Sequence, residues 1–156
     1  MILLKNTQRT IAIDKKSIID DATFILATLG YAEFDLGIWF TTNKTIRRYN
    51  KLYRHKDKAT DILSFSHHPT LRAGEKIIPT TPDDYNVGDL IISAEYVYNQ
   101  LSELKVSFKQ RLRVLLVHGI CHLLGYDHEL DQDYKVMHKK EQSLLKQLEA
   151  YKPLTK

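Results

Sequence analysis

Cysteine, proline, glycine and tryptophan are all scarce in this chain: one Cys, four Pro, six Gly and one Trp among 156 residues. The lone thiol, Cys121, cannot close an internal disulfide, which excludes a disulfide-stapled secreted scaffold. There is no internal repeat and no low-complexity tract. Long hydrophobic runs are missing too. The most apolar stretch, residues 114–124, is broken by two histidines and falls far short of the roughly 20 residues that span a bilayer. The opening residues MILLKNTQRT lack the apolar core and small-residue cleavage site of a secretory signal. A soluble, cytoplasmic protein with no membrane partner is the expectation.

Hydrophobic residues make up 43% of the chain, enough for one compact domain over residues 1–156 and too few for two. The charge balance is only mildly basic, with 23 Lys and Arg against 19 Asp and Glu and a net charge of +4. That tilts the chain toward anionic partners such as nucleic acid without requiring one.

Periodicity divides the chain into short strands and longer helices. Residues 2–4 and 10–13 read as strands. Asp14 then caps a helix with Ile18, Ala22, Ile25 and Leu29 on one face, ended by Gly30. Strict alternation at Phe34, Leu36, Ile38 and Phe40 predicts a half-buried strand. A short helix capped by Asn43 runs to about Tyr53, and residues 61–65 form another strand. Residues 66–86, with Pro69, Gly74, Pro79 and Pro82, read as loop. Residues 87–92 form a strand, followed by a helix to about Leu104. Ser107 and Gln110 make a capping box for a helix that Gly125 stops in the left-handed region. A last amphipathic helix covers about residues 131–150. Early strands and late helices predict an α+β fold, a single small mixed sheet packed with several helices.

The chemistry concentrates in His118-Gly-Ile-Cys-His122-Leu-Leu-Gly125-Tyr-Asp-His128. Four residues is about one helical turn, roughly 6 Å of rise, so His118 and His122 share a face. Two imidazoles so placed can converge on one ion, and the break at Gly125 lets His128 return as a third ligand. Three protein ligands leave a position open, as catalytic zinc sites do. Two imidazoles among Leu115, Leu116, Val117, Ile120 and Leu123 would be costly without a partner. His55, His67, His68 and His138 have no such context and are read as satisfied core residues. Cys121 points away from the ligand face and is read as a small buried apolar residue.

The spacing matches the zincin-type frame H-x-x-x-H-x-x-G-x-x-H of the metzincin proteases, with one difference. Those enzymes carry glutamate directly after the first histidine, as general base. Here the position is Gly119, which has no side chain to move a proton, and peptide hydrolysis needs one.

The same segment resembles the signature H-G-x-x-H-L-x-G-Y-D-H of the YbeY family, bacterial metal-dependent endoribonucleases of ribosomal RNA maturation. Cys121 stands where that family usually has leucine. A second block, Asn50-Lys-Leu-Tyr53-Arg54-His-Lys-Asp57-Lys-Ala-Thr60-Asp61-Ile-Leu63-Ser64-Phe65, is similar to its N-x-x-Y-R-x-x-D-x-x-T-D-V-L-S-F. Gly88-Asp89-Leu90-Ile91-Ile92-Ser93 resembles its G-D-I-x-I-S strand, and Met137 and Glu141 sit where its last helix has Met and Glu. Ser66 replaces the usual proline, and the connection 66–87 is longer than typical. The resemblance implies a zinc-dependent, single-strand-specific endoribonuclease acting in 16S rRNA 3′-end maturation and ribosome quality control. One zinc ion per chain, or another divalent metal, would sit on His118, His122 and His128. RNA is the implied substrate, and the ribosomal small subunit or its assembly factors are implied partners.

His118 and Arg54 are the catalytic candidates, Arg54 because it matches the arginine that the family places beside its metal. It lies in a basic segment, Lys44 to Lys58, whose only acid is Asp57. Such a stripe either follows a phosphate backbone or is a solvated helix face. Tyr49 and Tyr53, four apart, either stack on bases or belong to the core. Asp127 either holds a ligand imidazole or caps the turn after Gly125. Asp61 and Ser64 carry no assigned chemistry. Two other functions share the histidine frame: a metzincin-like metalloprotease or amide hydrolase, and a ribosome-assembly binding factor with a structural metal.

Overall fold

In the computed structural model, which describes residues 1–154, the alternating segments form strands β1 (Ile2–Asn6), β2 (Asp35–Thr41), β3 (Ile62–Ser66) and β4 (Asn86–Ser93). They make one sheet in the order β1-β2-β4-β3. The first three in that order run parallel, and β3 pairs antiparallel with β4 at the edge. Helices α1 (Lys15–Thr28), α2 (Asn43–Arg54), α3 (Ala94–Leu104), α4 (Phe108–Leu123) and α5 (Asp131–Tyr151) complete the expected α+β architecture.

A strand's side chains alternate between faces, and the two faces of this sheet meet different neighbours. Leu36, Ile38 and Phe40 of β2, with Leu90 and Ile92 of β4, enter the main core beside Ile25 of α1, Ile120 of α4 and Leu148 of α5. The intervening positions Trp39, Leu63, Phe65 and Ile91 join a much smaller cluster around Ile46 and Tyr49 of α2. One face is therefore roofed by several helices, and the other is covered at one side by α2.

Helix α4 sits deepest. Ser107 and Gln110 form the predicted capping box at its start, with Gln110 N–H donating to Ser107 Oγ at 3.1 Å and Ser107 N–H to Gln110 Oε1 at 2.8 Å. Two arginines fix its position. Arg111 donates to Asp61 at 3.0 Å, tying the helix to the start of β3. Arg113, only 4% exposed, donates to both carboxylate oxygens of Asp21 on α1, to Glu149 on α5 and to the Lys152 carbonyl. A guanidinium taken this far from water needs such a full set of acceptors.

Two expectations fail locally. Residues 10–13 are not a strand. The buried Gln8 side chain accepts from Thr10 and Ile11 N–H and donates to the Ile11 carbonyl, taking the backbone groups a ladder would use. Helix α2 is capped by Thr42, whose hydroxyl accepts from Thr45 N–H, while the Asn43 amide oxygen accepts from Ser93 Oγ–H at 2.7 Å. The connection after β3 is irregular apart from one 3-10 turn at Pro82–Asp84, and it packs Leu71 and Ile77 onto the main core. Among the described residues, no helix is long and apolar enough to cross a membrane.

Candidate metal centre

His118 and His122 project from the last two turns of α4 because the rest of that helix is locked into the core. Gly125 then adopts φ +94°, and a Cβ added there would lie 2.3 Å from the Leu71 carbonyl oxygen. Only glycine meets both demands, the left-handed turn and the close approach of the 66–86 connection. Tyr126 N–H returns to the Cys121 carbonyl at 3.1 Å, and the chain brings His128 back over the end of the helix. Ligand-capable nitrogens of His118, His122 and His128 all lie within 4.8 Å of one another. Among the described residues, this is the one group of three or more histidine, cysteine or carboxylate side chains so placed.

The hydrogen bonds around the rings define which nitrogens are free. His118 Nδ1 lies 2.9 Å from Glu141 Oε2, and His122 Nδ1 lies 2.9 Å from the Tyr126 carbonyl oxygen. Both partners accept, so both Nδ1 atoms carry the proton. In a neutral imidazole so fixed, Nε2 is the lone-pair donor, and the two Nε2 atoms face each other at 3.0 Å. Two lone pairs at that distance repel unless something positive, a proton or a cation, sits between them. Burial, first, and then the neighbouring His118 and His128 push the His122 imidazole down to about 4, so it is neutral at physiological pH. Neutral imidazoles with fixed outer nitrogens are the donor set that zinc and similar ions prefer. Burial pushes the Cys121 thiol up to about 12, so it offers no thiolate.

Glu141 is the residue that sequence reasoning left without a role. Nothing local in the sequence shows that a residue 23 positions away orients His118. Asp127 instead accepts from Glu129 N–H at 3.1 Å, so it caps the turn. Gly119 also proves to be more than an absence. An added Cβ would meet Ile62 Cδ1 and Leu90 Cδ2 at 2.8 Å each, so the position points into packed sheet. The other four histidines stay outside the cluster and nearer the surface than expected. His55 is the left-handed residue after α2, His67 and His138 are exposed, and His68 Nε2 contacts the Asp84 carbonyl oxygen.

Arg54, at the end of α2, lines a cleft of about 800 Å³ with His122, Gly125, Tyr126 and Asp127. Ser64 and Ser66 of β3 form its floor on one side, and the 66–86 connection supplies a wall that includes Leu71 and Arg72. The structure thus brings the three histidines together and places Arg54 in the cleft that His122 lines. Nothing in the loop sequence marks that Arg72 turns toward the cleft.

The chain matches the family model described as Endoribonuclease YbeY over residues 3–149. A human protein named Endoribonuclease YbeY is 37% identical over 147 residues, covering 94% of this chain and 87% of that protein. Its namesake from Desulforamulus reducens is 33% identical over 151 residues, covering 94% and 96%. That from Aquifex aeolicus is 39% identical over 128 residues, covering 82% and 77%. The human relative carries the family beyond bacteria. The solution structure of a Thermotoga maritima protein superposes with a TM-score of 0.63 at 21% identity, covering 97% of this chain and 91% of that one, which shows a shared fold.

Proposed function

The chain belongs to the YbeY endoribonuclease family, and from that premise we propose that it is a zinc-dependent endoribonuclease of single-stranded ribosomal RNA. In this reading residues 1–156 act as one cytoplasmic domain, in 16S rRNA 3′-end maturation and ribosome quality control, with the small subunit or its assembly factors as partners. His118, His122 and His128 hold the ion. When bound, zinc supplies Lewis acidity toward water and a phosphoryl oxygen.

The chain's own residues do the rest. Glu141 and the Tyr126 carbonyl hold the rings of His118 and His122 so that both Nε2 lone pairs stay turned inward. Arg54, a permanent cation in the same cleft, donates to the non-bridging oxygens on which charge grows as the phosphodiester is attacked. Residues of the 66–86 connection and Asp133 and Val136 of α5 complete the lining of the cleft.

The observation that carries the reading is the facing pair of His118 and His122 Nε2 atoms at 3.0 Å, at a cleft that His122 lines with Arg54, with no base at position 119. The test is RNA cleavage by wild type and His118→Ala, scored beside metal content and circular dichroism. About one ion per chain is expected in the wild type. The variant should lose the ion and about 10³-fold in rate while remaining folded. Metal-free wild-type protein, with cleavage undiminished in His118→Ala, sinks the proposal. Ligand variants that unfold would instead make the metal structural.

A further inference from the structure

The less covered face of the sheet holds a second concavity, of about 520 Å³, that the histidines do not touch. Its lining is mostly apolar and aromatic: Trp39 of β2, Phe65 of β3, and Tyr49 and Tyr53 of α2, with Leu3 beside them. The rings form a connected row. Trp39 meets Tyr49 edge-on at 5.6 Å, Tyr49 lies parallel to Tyr53 at 6.0 Å, and Tyr53 meets Phe65 edge-on at 5.2 Å. Tyr53 is 58% exposed, so it is not core on this face. Trp39 Nε1–H is already satisfied by Thr7 Oγ1 at 2.8 Å, which fixes the indole.

Cations border the row. Lys5 Nζ lies 5.0 Å from the Trp39 ring centre, and the Arg48 guanidinium lies 5.8 Å from that of Tyr49. On the floor, the exposed Asp89 carboxylate lies over Gly37. A carboxylate repels phosphate but accepts hydrogen bonds from base amino groups. Floor and rim therefore sort a polynucleotide in one orientation, bases inward and phosphates toward Lys5 and Arg48.

The groove and the metal cleft lie back to back across edge strand β3 and the end of α2. Alternation along edge strand β3 sends Ser64 and Ser66 to the cleft and Phe65 to the groove. At the end of α2, Arg54 lines the cleft and its neighbour Tyr53 lines the groove. A strand leaving Arg54 meets the aromatic row within a residue or two of protein.

We propose that this groove is a stacking subsite for unpaired bases of an RNA strand whose scissile phosphate lies at Arg54. The inference rests on the endoribonuclease reading and deepens it, because a stacking row selects unpaired bases over a duplex.

The chain's single tryptophan lies in the groove and serves as the probe. Wild-type protein in chelator is titrated with a 2′-O-methyl oligoribonucleotide, single-stranded and then annealed, while tryptophan fluorescence is followed. The single strand should quench Trp39 and the duplex should not. Tyr53→Ala should bind the single strand about 10- to 100-fold more weakly with unchanged circular dichroism. Leu52→Ala, exposed on the same helix and outside the groove, should bind as wild type does. Lys5→Gln should lower the salt slope of binding by about 0.7. Equal affinity in wild type and Tyr53→Ala with no Trp39 response overturns the subsite, and is also the result expected if a polypeptide segment occupies the groove. Should the wild type still cleave RNA, only the subsite falls. If the wild type neither binds nor cleaves RNA, both readings fall.

Discussion

On the roofed face of the sheet, Leu36, Ile38, Phe40, Leu90 and Ile92 are essentially removed from water, and α4 carries His118 and His122 on top of them. On the opposite face the same strands leave Lys5 and Asp89 exposed and Trp39 and Phe65 half-buried, with α2 as the only helix in the small cluster there. The first arrangement fixes atoms. Arg113, Arg111 and the core hold α4, and Glu141 and Tyr126 hold the rings, as a site with fixed ligand geometry requires. The second offers surface: rings and cations that accept bases of any identity. Precision needs a buried frame and hydrogen bonds that fix each ring, and tolerance needs a face left open.

Gly119→Glu is the sharpest way to break the roofed face. It restores the residue that metzincin proteases use, at a position whose first added atom already meets Ile62 and Leu90. The carboxylate would enter packed sheet with no partner, so stability should fall by more than about 4 kcal/mol in urea denaturation. Gly119→Ala should change stability by no more than about 1 kcal/mol, because helix propensity offsets the displaced side-chain tips. A soluble Gly119→Glu protein that turns over peptides overturns this account of why the base is missing.

That position also marks how far the sequence could be read. His118, His122, the Gly125 stop and the Ser107–Gln110 box all lie within one helix and its ends, where spacing is geometry. The alternation at Leu36, Ile38 and Phe40 is local in the same way. Glu141 reaches His118 across 23 residues and Asp21 reaches Arg113 across 92, and no periodicity encodes such pairings. Residues 10–13 have a strand's composition, yet one buried glutamine claims their backbone. Tyr53 is ambiguous in sequence because stacking platform and core use the same residue types. Only the partial cover of α2 decides that it stays accessible.

Arg54 and Tyr53 are adjacent in sequence and serve different faces, so paired variants sharpen the contrast. Arg54→Ala should keep the metal and lose about 10²- to 10³-fold in kcat, the usual effect of removing one charge-stabilising donor. Tyr53→Ala should act mainly through KM. Full turnover in Arg54→Ala removes that residue from the mechanism. Glu141→Gln should weaken metal binding by about 10- to 100-fold, read by chelator competition, since it removes the charge that orients His118. Unchanged affinity would mean that the Tyr126 carbonyl and the helix suffice.

The smallest effect separates the two faces by pH. His122 is held near 4 in the folded chain against an ordinary 6.5, so the native state binds fewer protons there than the unfolded chain. Its contribution to stability is therefore present in full above pH 6.5 and is lost as pH falls toward 4. In metal-stripped protein the half-buried ring should contribute on the order of 1 kcal/mol between pH 7.5 and pH 5, after allowance for solvent screening. The urea midpoint of the wild type should drop over that interval more than that of His122→Gln, whose side chain has no proton to gain. Lys5→Gln, on the open face, should track the wild type throughout. Parallel curves for wild type and His122→Gln would show that the histidine cleft is no more costly to protonate than any solvated imidazole.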